Sequence, residues 1–453
     1  MSIVLGDDPT AMLLPPLVEA RSARAPRAVA ATLPNGLNTL VLRRPTVPMV
    51  ELRLRIPLSM ANSHTAAATI ARGSLMSSSM LFGTAQHDQR ELANGLAAVG
   101  ADLSVSADAD RLLFSTAVLR TGLSTVLDLL AEILTSASYP SAEVLAERDR
   151  LGQRIAMALT QPGVVARMAR SRRLFGDHPY AHTMPDPAMV GELEAGTLRR
   201  SHRDRVRPSG ATLVVVGDVQ PRTVAKQASS AFADWVGPAR RSRLLALPDF
   251  EPGGITLVDR PGAVQSNIRI GGAAVGRRDP AYAALQLANL VFGGYFSSRL
   301  TENLRERNGF TYSPSSGVDN SAAGSTFLVD ADVATEVTAR AVHETWYELG
   351  RMALAPVSQD ELDQARRYAL GTLALSTATQ AGLASILTSL AGQGLSASWL
   401  ADYQKAVADV SIADVREASR CYLSVSSLTT VVVGDAAVVE DSLRSLAVIR
   451  NPE

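Results

Sequence analysis

The sequence predicts an α+β protein of two homologous domains, each a mostly antiparallel sheet packed with helices. Two repeated landmarks carry this. Gly36 to Leu42 reads GLNTLVL before Arg43-Arg44-Pro45, and Gly254 to Val258 reads GITLV before Asp259-Arg260-Pro261. VVVGD occurs at Val214 to Asp218 and again at Val431 to Asp435. The two offsets agree to within a single position. Two landmarks at one interval mark a duplicated domain, and the interval is far too long for a solenoid repeat. A chain of 453 residues, 46% of them hydrophobic, is long and apolar enough for two cores.

Residues 1–28, rich in Pro, Arg and Ala, read as an arm. The first domain, 29–236, opens with the turn signal Leu33-Pro34-Asn35-Gly36 and a strand to Leu42. Met49 to Ile56 alternates apolar and charged residues, which predicts a half-buried antiparallel strand. Helices are predicted over His64–Ser79, Asp88–Val99, Ser124–Leu134 and Ser141–Thr160, with strands at Ala101–Ser106, Arg111–Val118 and Thr212–Val216. A segment bearing Pro238, Pro248, Pro252 and Gly253-Gly254 predicts a linker over 237–253. The second domain, 254–453, repeats the order. Strands are predicted at Ile255–Val258, Ser266–Ile270, Phe310–Gly317, Thr326–Asp332 and Ser427–Val433. Helices are predicted at Pro280–Val291, Ser297–Asn308, Ala334–Glu348, Ser358–Ser376 and Ala381–Gly392. Gly309 stands where a helix is closed by a left-handed residue.

Forty-four basic residues balance forty-four acidic ones, so nothing favours a polyanion and nucleic acid is not an expected ligand. The basic runs Arg148–Arg154 and Arg199–Arg207 read as solvated helix faces. Cys421 is the only cysteine, which excludes an internal disulfide and a cysteine-built metal site; ahead of an apolar strand, it reads as a small buried hydrophobe. The N-terminus has no basic region leading an apolar one, and no run of about 20 apolar residues exists to span a membrane. The expectation is a cytoplasmic protein with no membrane partner.

The six histidines are His64, His87, His178, His182, His202 and His343. Only His178 and His182 have helical spacing, but Pro179 lies between them and FGDHPYAH reads as a loop with a packing role. Zinc, phosphate-loop, dinucleotide and nucleophile-elbow motifs are all absent. The richest polar cluster is Ser297 to Tyr312, SSRLTENLRERNGFTY. If the chain reverses at Gly309, the five donors of Arg305 and the phenol of Tyr312, just into the next strand, converge on one spot. Two such donors suit a peptide carbonyl and its developing oxyanion. The other reading is that Arg305 complements the helix C-terminus and Tyr312 packs at a sheet edge.

From about residue 28 to 450 the chain resembles the M16 peptidases, the family of pitrilysin, insulysin, the mitochondrial processing peptidase and the core proteins of respiratory complex III. The resembling residues are LPNGLNTLVLRR, MLFGT (Met80–Thr84), Glu91–Arg111, FGDHPYAH, both VVVGD strands, Asp259–Ile268 and, most specifically, Ser297–Gly317. The resemblance implies two homologous halves closing like a clam around an extended peptide, with Arg305 and Tyr312 as the substrate-holding pair. It also implies a His-x-x-Glu-His zinc motif on a first-half helix and a distal Glu ligand on a later helix. Here the motif's slots fall at or near Ser74, Ser77 and Ser78, and the distal slot near Gln153, Arg154 or Ile155. Hydroxyls are poor zinc ligands, Arg154 repels a cation, and no carboxylate remains to activate water. The resemblance therefore implies a non-catalytic subunit with no cofactor of its own. Its partner would be a His-x-x-Glu-His-bearing M16 subunit that carries Zn2+ and takes Arg305 and Tyr312 across a shared chamber. The alternative is a structural or regulatory M16-like protein, paired with itself or built into a core, without peptidase activity.

Overall fold

The computed structural model describes residues 27–58, 65–238 and 244–451; most of the predicted arm and His64 lie outside them. The first half runs β1 (Ala28–Thr32), β2 (Asn38–Arg43), β3 (Met49–Pro57), α1 (Ala66–Ser79), α2 (Gln89–Ala98), β4 (Asp102–Ala107), β5 (Arg111–Leu119), α3 (Leu123–Ser136), α4 (Ser141–Leu159), α5 (Pro162–Phe175), α6 (Pro187–Gly191), α7 (Ala195–Arg205), β6 (Thr212–Gly217) and α8 (Pro221–Ala231). The second runs β7 (Ile255–Asp259), β8 (Gln265–Ala274), α9 (Tyr282–Asn289), α10 (Arg299–Thr301), β9 (Ser315–Asn320), β10 (Ser325–Ala334), α11 (Thr338–Leu354), α12 (Gln359–Ala378), α13 (Gln380–Gly392), α14 (Trp399–Asp409), α15 (Ile412–Tyr422), β11 (Leu428–Gly434), α16 (Ala436–Arg444) and β12 (Ile449–Arg450).

Each half holds one six-stranded sheet, ordered β1-β2-β6-β3-β5-β4 and β12-β7-β11-β8-β10-β9. From the second position onward the two sheets correspond strand for strand. In each, the VVVGD strand runs parallel to one neighbour, β2 or β7, and antiparallel to the other, β3 or β8. The motif's glycine has a physical cause in both. A Cβ on Gly217 would lie 2.3 Å from the Met49 carbonyl oxygen, and one on Gly434 2.4 Å from the Ser266 hydroxyl. The duplication reaches single bonds: Arg53 Nη1 donates to the Leu52 and Thr116 carbonyls, and Arg269 Nη1 to those of Ile268 and Ala331.

The halves are joined by exchanged helices. α5 leaves the first half and lies on β8 and β11 of the second; α13 leaves the second and lies on β3 and β6 of the first. Leu383, Leu387 and Leu390 of α13 share one apolar cluster with Leu42, Val214 and Val216. β3 is thus covered on both faces, and Arg55 on its charged face is buried. The half-buried strand expected from its alternation is a central one, because the second face belongs to a distant helix. Among the described residues no single helix is long and apolar enough to cross a membrane.

The structure departs from the sequence reading in several places; α6, α8, α14, α15 and α16 are not among the expected helices, and four further differences bear on the site or the core. Ala28 already belongs to β1, an Ala-rich edge strand with no alternation to betray it. α5 has no counterpart in the sequence reading. Its Arg-rich face looks solvated, yet Arg170 is buried in an ion pair with Asp330 of the other half. The strand after Gly309 begins at Ser315, leaving Tyr312 in the connection. Cys421 is exposed: it sits in the last turn of α15, where Val415 and Ala418 face the core, and its thiol donates to Glu417 Oε1 at 3.3 Å.

Candidate functional site

The segment that carries Arg305 and Tyr312 is fixed from several sides. The Ser298 hydroxyl, buried, accepts from the Thr301 amide and caps α10. Arg299 forms a bidentate pair with Glu361 at 2.6 and 2.9 Å, tying α10 to α12. Burial alone would raise Glu361, but the bonds from Arg299 and Ser358 outweigh it and hold its carboxyl at about 2. Asn303, also buried, donates to Glu344 and Glu348 of α11. α10 widens into a π-helix over Glu302–Arg307, a form concentrated at functional sites. Gly309, left-handed at φ +63°, closes it by donating to the Arg305 carbonyl, and Phe310 donates to that of Leu304.

The reversal brings the two expected residues together. The Arg305 guanidinium carbon lies 4.7 Å from the centroid of the Tyr312 ring. Tyr312 is 80% exposed, and its hydroxyl has no hydrogen-bond partner among the described residues. The carboxylate paired with Arg305 is Glu306, 3.2 Å from Nε, so both Nη groups are unengaged among those residues. One residue passed over by the sequence reading joins them: Phe296, 65% exposed, has its ring centroid 4.7 Å from the same guanidinium carbon. Its signal was an aromatic between the Gly293-Gly294 pair and the Ser298 cap.

The metal slots lie elsewhere, on α1 and α4. The Ser77 hydroxyl donates to the Ser74 carbonyl at 2.9 Å; that of Ser78 lies 3.3 Å from the Leu75 carbonyl oxygen and also faces Glu147 of α4. On α4, Arg154 donates to Glu147 at 2.7 Å and Arg150 to the same carboxylate at 2.9 Å. Burial would raise Glu147, yet the bonds from Arg154, Arg150 and Ser78 outweigh it and hold it below the usual carboxylate range. The expected ligand positions thus offer hydroxyls and a guanidinium around one engaged carboxylate. This donor set does not fit zinc. Among the described residues no group of three or more His, Cys, Asp or Glu side chains gathers in a way that could hold a metal ion. His178 is buried, with Nδ1 accepting from the Tyr180 amide and Nε2 3.3 Å from the Leu245 carbonyl oxygen.

Between the halves lies a cavity of about 620 Å3 with mixed polar and apolar walls, its polar groups coming from Arg55, Asp110, Arg170, Tyr180, Asn320 and Gln393. Asp110 draws its walls together. It accepts from Arg55 at 3.1 Å, from the Tyr180 hydroxyl at 2.9 Å and from the Ala322 amide of the other half at 3.4 Å. None of Phe296, Arg305 and Tyr312 lines this cavity; they present outward from the second half.

Comparison with known proteins gives concordant relations. A family profile described as Insulinase (Peptidase family M16) matches residues 75–188, and one described as Peptidase M16 inactive domain matches 192–368. An uncharacterized zinc protease of Streptomyces coelicolor is 25% identical over 249 residues, spanning 52% of this chain and only 52% of its own. One from Mycobacterium bovis is 26% identical over 364 residues, 78% of this chain and 81% of its own. A probable inactive metalloprotease of Bacillus subtilis is 24% identical over 204 residues, 43% and 47% of the two chains. A solved structure described as a peptidase M16 inactive domain from Pseudomonas fluorescens superposes with a TM-score of 0.83 at 22% identity, over 94% of this chain and all of the other.

Proposed function

The chain belongs to the M16 peptidase family, and from that premise we propose that it is the non-catalytic, substrate-binding subunit of a two-chain zinc endopeptidase. The observation that carries the reading is a contrast. The pair of half-buried Arg305 and exposed Tyr312 has three donor groups unengaged among the described residues, while the ligand slots on α1 and α4 hold serines and an Arg154–Glu147 pair. A side chain kept for packing is buried; Tyr312 is not. Arg305 and Tyr312 donate to the carbonyl oxygen of an extended peptide and to the negative charge that oxygen gains under attack. The metal and the activated water belong to a His-x-x-Glu-His partner. β9, which follows Tyr312 closely, is a sheet edge that pairs, among the described residues, only with β10, so a peptide held at the pair can add to it as a strand. Backbone pairing of this kind takes many sequences.

The test is co-purification with an M16 subunit bearing His-x-x-Glu-His, followed by cleavage of an unfolded peptide by each chain alone and by the pair. Cleavage by the pair that depends on Arg305 supports the reading. A partner that cleaves equally well without this chain refutes it, and leaves the structural or regulatory role.

A further inference from the structure

We propose that Phe296 is a positioning residue for Arg305: with Tyr312 it makes a two-ring cradle that holds the guanidinium flat and leaves its Nη edge open for a peptide carbonyl. The inference deepens the substrate-binding reading above and rests on it. It starts from an oddity of exposure. Phe296 leaves 65% of its surface to solvent, yet the backbone on either side is tightly fixed. Tyr295 packs on Tyr368 of α12 with ring centroids 5.0 Å apart, and Ser298 is the buried cap of α10. Among the described residues the cation seated over the Phe296 ring is the Arg305 guanidinium, 4.7 Å from its centroid. The Tyr312 ring stands at the same distance.

The energetics favour positioning over simple packing. An arginine at a helix end loses much rotamer freedom when it must hold one orientation, and unless that cost is met beforehand it is set against holding the developing oxyanion, so that it lowers kcat more than it raises KM. Two aromatic faces meet it through the attraction of a cation to a ring quadrupole, without using any N–H. Glu306 adds an anchor at Nε, 3.2 Å away. A carboxylate clamped across both Nη groups would also fix the arginine, but would fill the site. The aromatic cradle fixes it and leaves it open.

The experiment has two arms. The first needs neither partner nor substrate: 15N relaxation of the Arg305 Nε–H in the full chain, assigned by its loss in R305Q. The Nε–H order parameter is expected near ~0.8 in the unmodified chain, below about 0.6 in F296A, restored in F296Y and not in F296L, which keeps the apolar bulk without the quadrupole. The second arm measures turnover of the reconstituted complex on oxidised insulin B chain. F296A should lower kcat about two- to fivefold with KM little changed, F296Y should rescue it, and F296A should add nothing in an R305Q background. An Arg305 order parameter unmoved by F296A overturns the inference whatever the complex does. An order parameter that falls while F296A and R305Q leave turnover alike unchanged overturns the substrate role of Arg305, and with it any purpose for the cradle.

Discussion

Among single residues, the pair at the reversal is separable from the fold around it. Tyr312 is exposed and its hydroxyl bonds nothing among the described residues, so Tyr312→Phe should leave the melting temperature unchanged. If the phenol donates to an oxyanion, its loss should cost about 2.7–4 kcal/mol, or roughly 100- to 1000-fold in turnover of the reconstituted complex. Turnover within about twofold of the unmodified complex would remove Tyr312 from the chemistry. His202 gives the opposite case, a buried group with a structural task. Its Nε2 donates to the Leu134 carbonyl at 2.9 Å and its Nδ1 accepts from the Tyr139 hydroxyl at 2.8 Å, which defines a neutral ring. Burial lowers its pKa, with Arg207 and Arg203 acting in the same direction against the Leu134 bond. The unfolded chain therefore takes up a proton below about pH 6.5 that the folded chain resists, and stability falls as pH drops through that value. Urea unfolding from about pH 7.5 to 5 should show a shallower pH slope in H202Q than in the unmodified chain. Equal slopes would assign the acid sensitivity to other groups.

Among the elements, the exchanged helices decide how the two halves depend on one another. Leu387 of α13 is fully buried in a cluster whose other members include Val214 and Val216 of β6. Leu387→Ala should cost about 2–5 kcal/mol, and the loss should register in the other half of the chain. Hydrogen exchange of the β6 amides should speed up in this variant, though its substitution lies in the second half of the sequence and β6 in the first. Unchanged protection in β6 would mean that α13 lies on the first sheet without supporting it. α5 is the reciprocal case, with Arg170 buried against Asp330.

Across the molecule, the duplication has produced halves with different surfaces. In the first, the helix pair α1 and α4 holds Ser77, Ser78 and an Arg154–Glu147–Arg150 group at the slots the resemblance marks for a metal. The purified chain should bind no stoichiometric zinc, and elemental analysis finding one tightly held equivalent would contradict that assignment. The second half carries the outward Phe296, Arg305 and Tyr312. Asp110, with donors from β3, from Tyr180 and from the Ala322 amide, bridges the halves beside a cavity between them.

What is periodic or repeated was legible in the chain alone. The matched offsets marked two domains, the alternation of Met49 to Ile56 marked β3, and Gly309 marked the reversal that sets Arg305 beside Tyr312, because a left-handed residue leaves a local trace. That Ser74, Ser77 and Ser78 offer hydroxyls and not imidazoles at the slots the resemblance marks was read from side-chain identity alone. The rest depended on distant parts of the chain meeting. That α5 and α13 cross between halves is invisible in either helix, because an arginine aimed at solvent and one aimed at Asp330 look alike until the other sheet is in place. Likewise the second ring on Arg305 comes from Phe296, upstream and across a helix cap, a separation that only the folded chain closes.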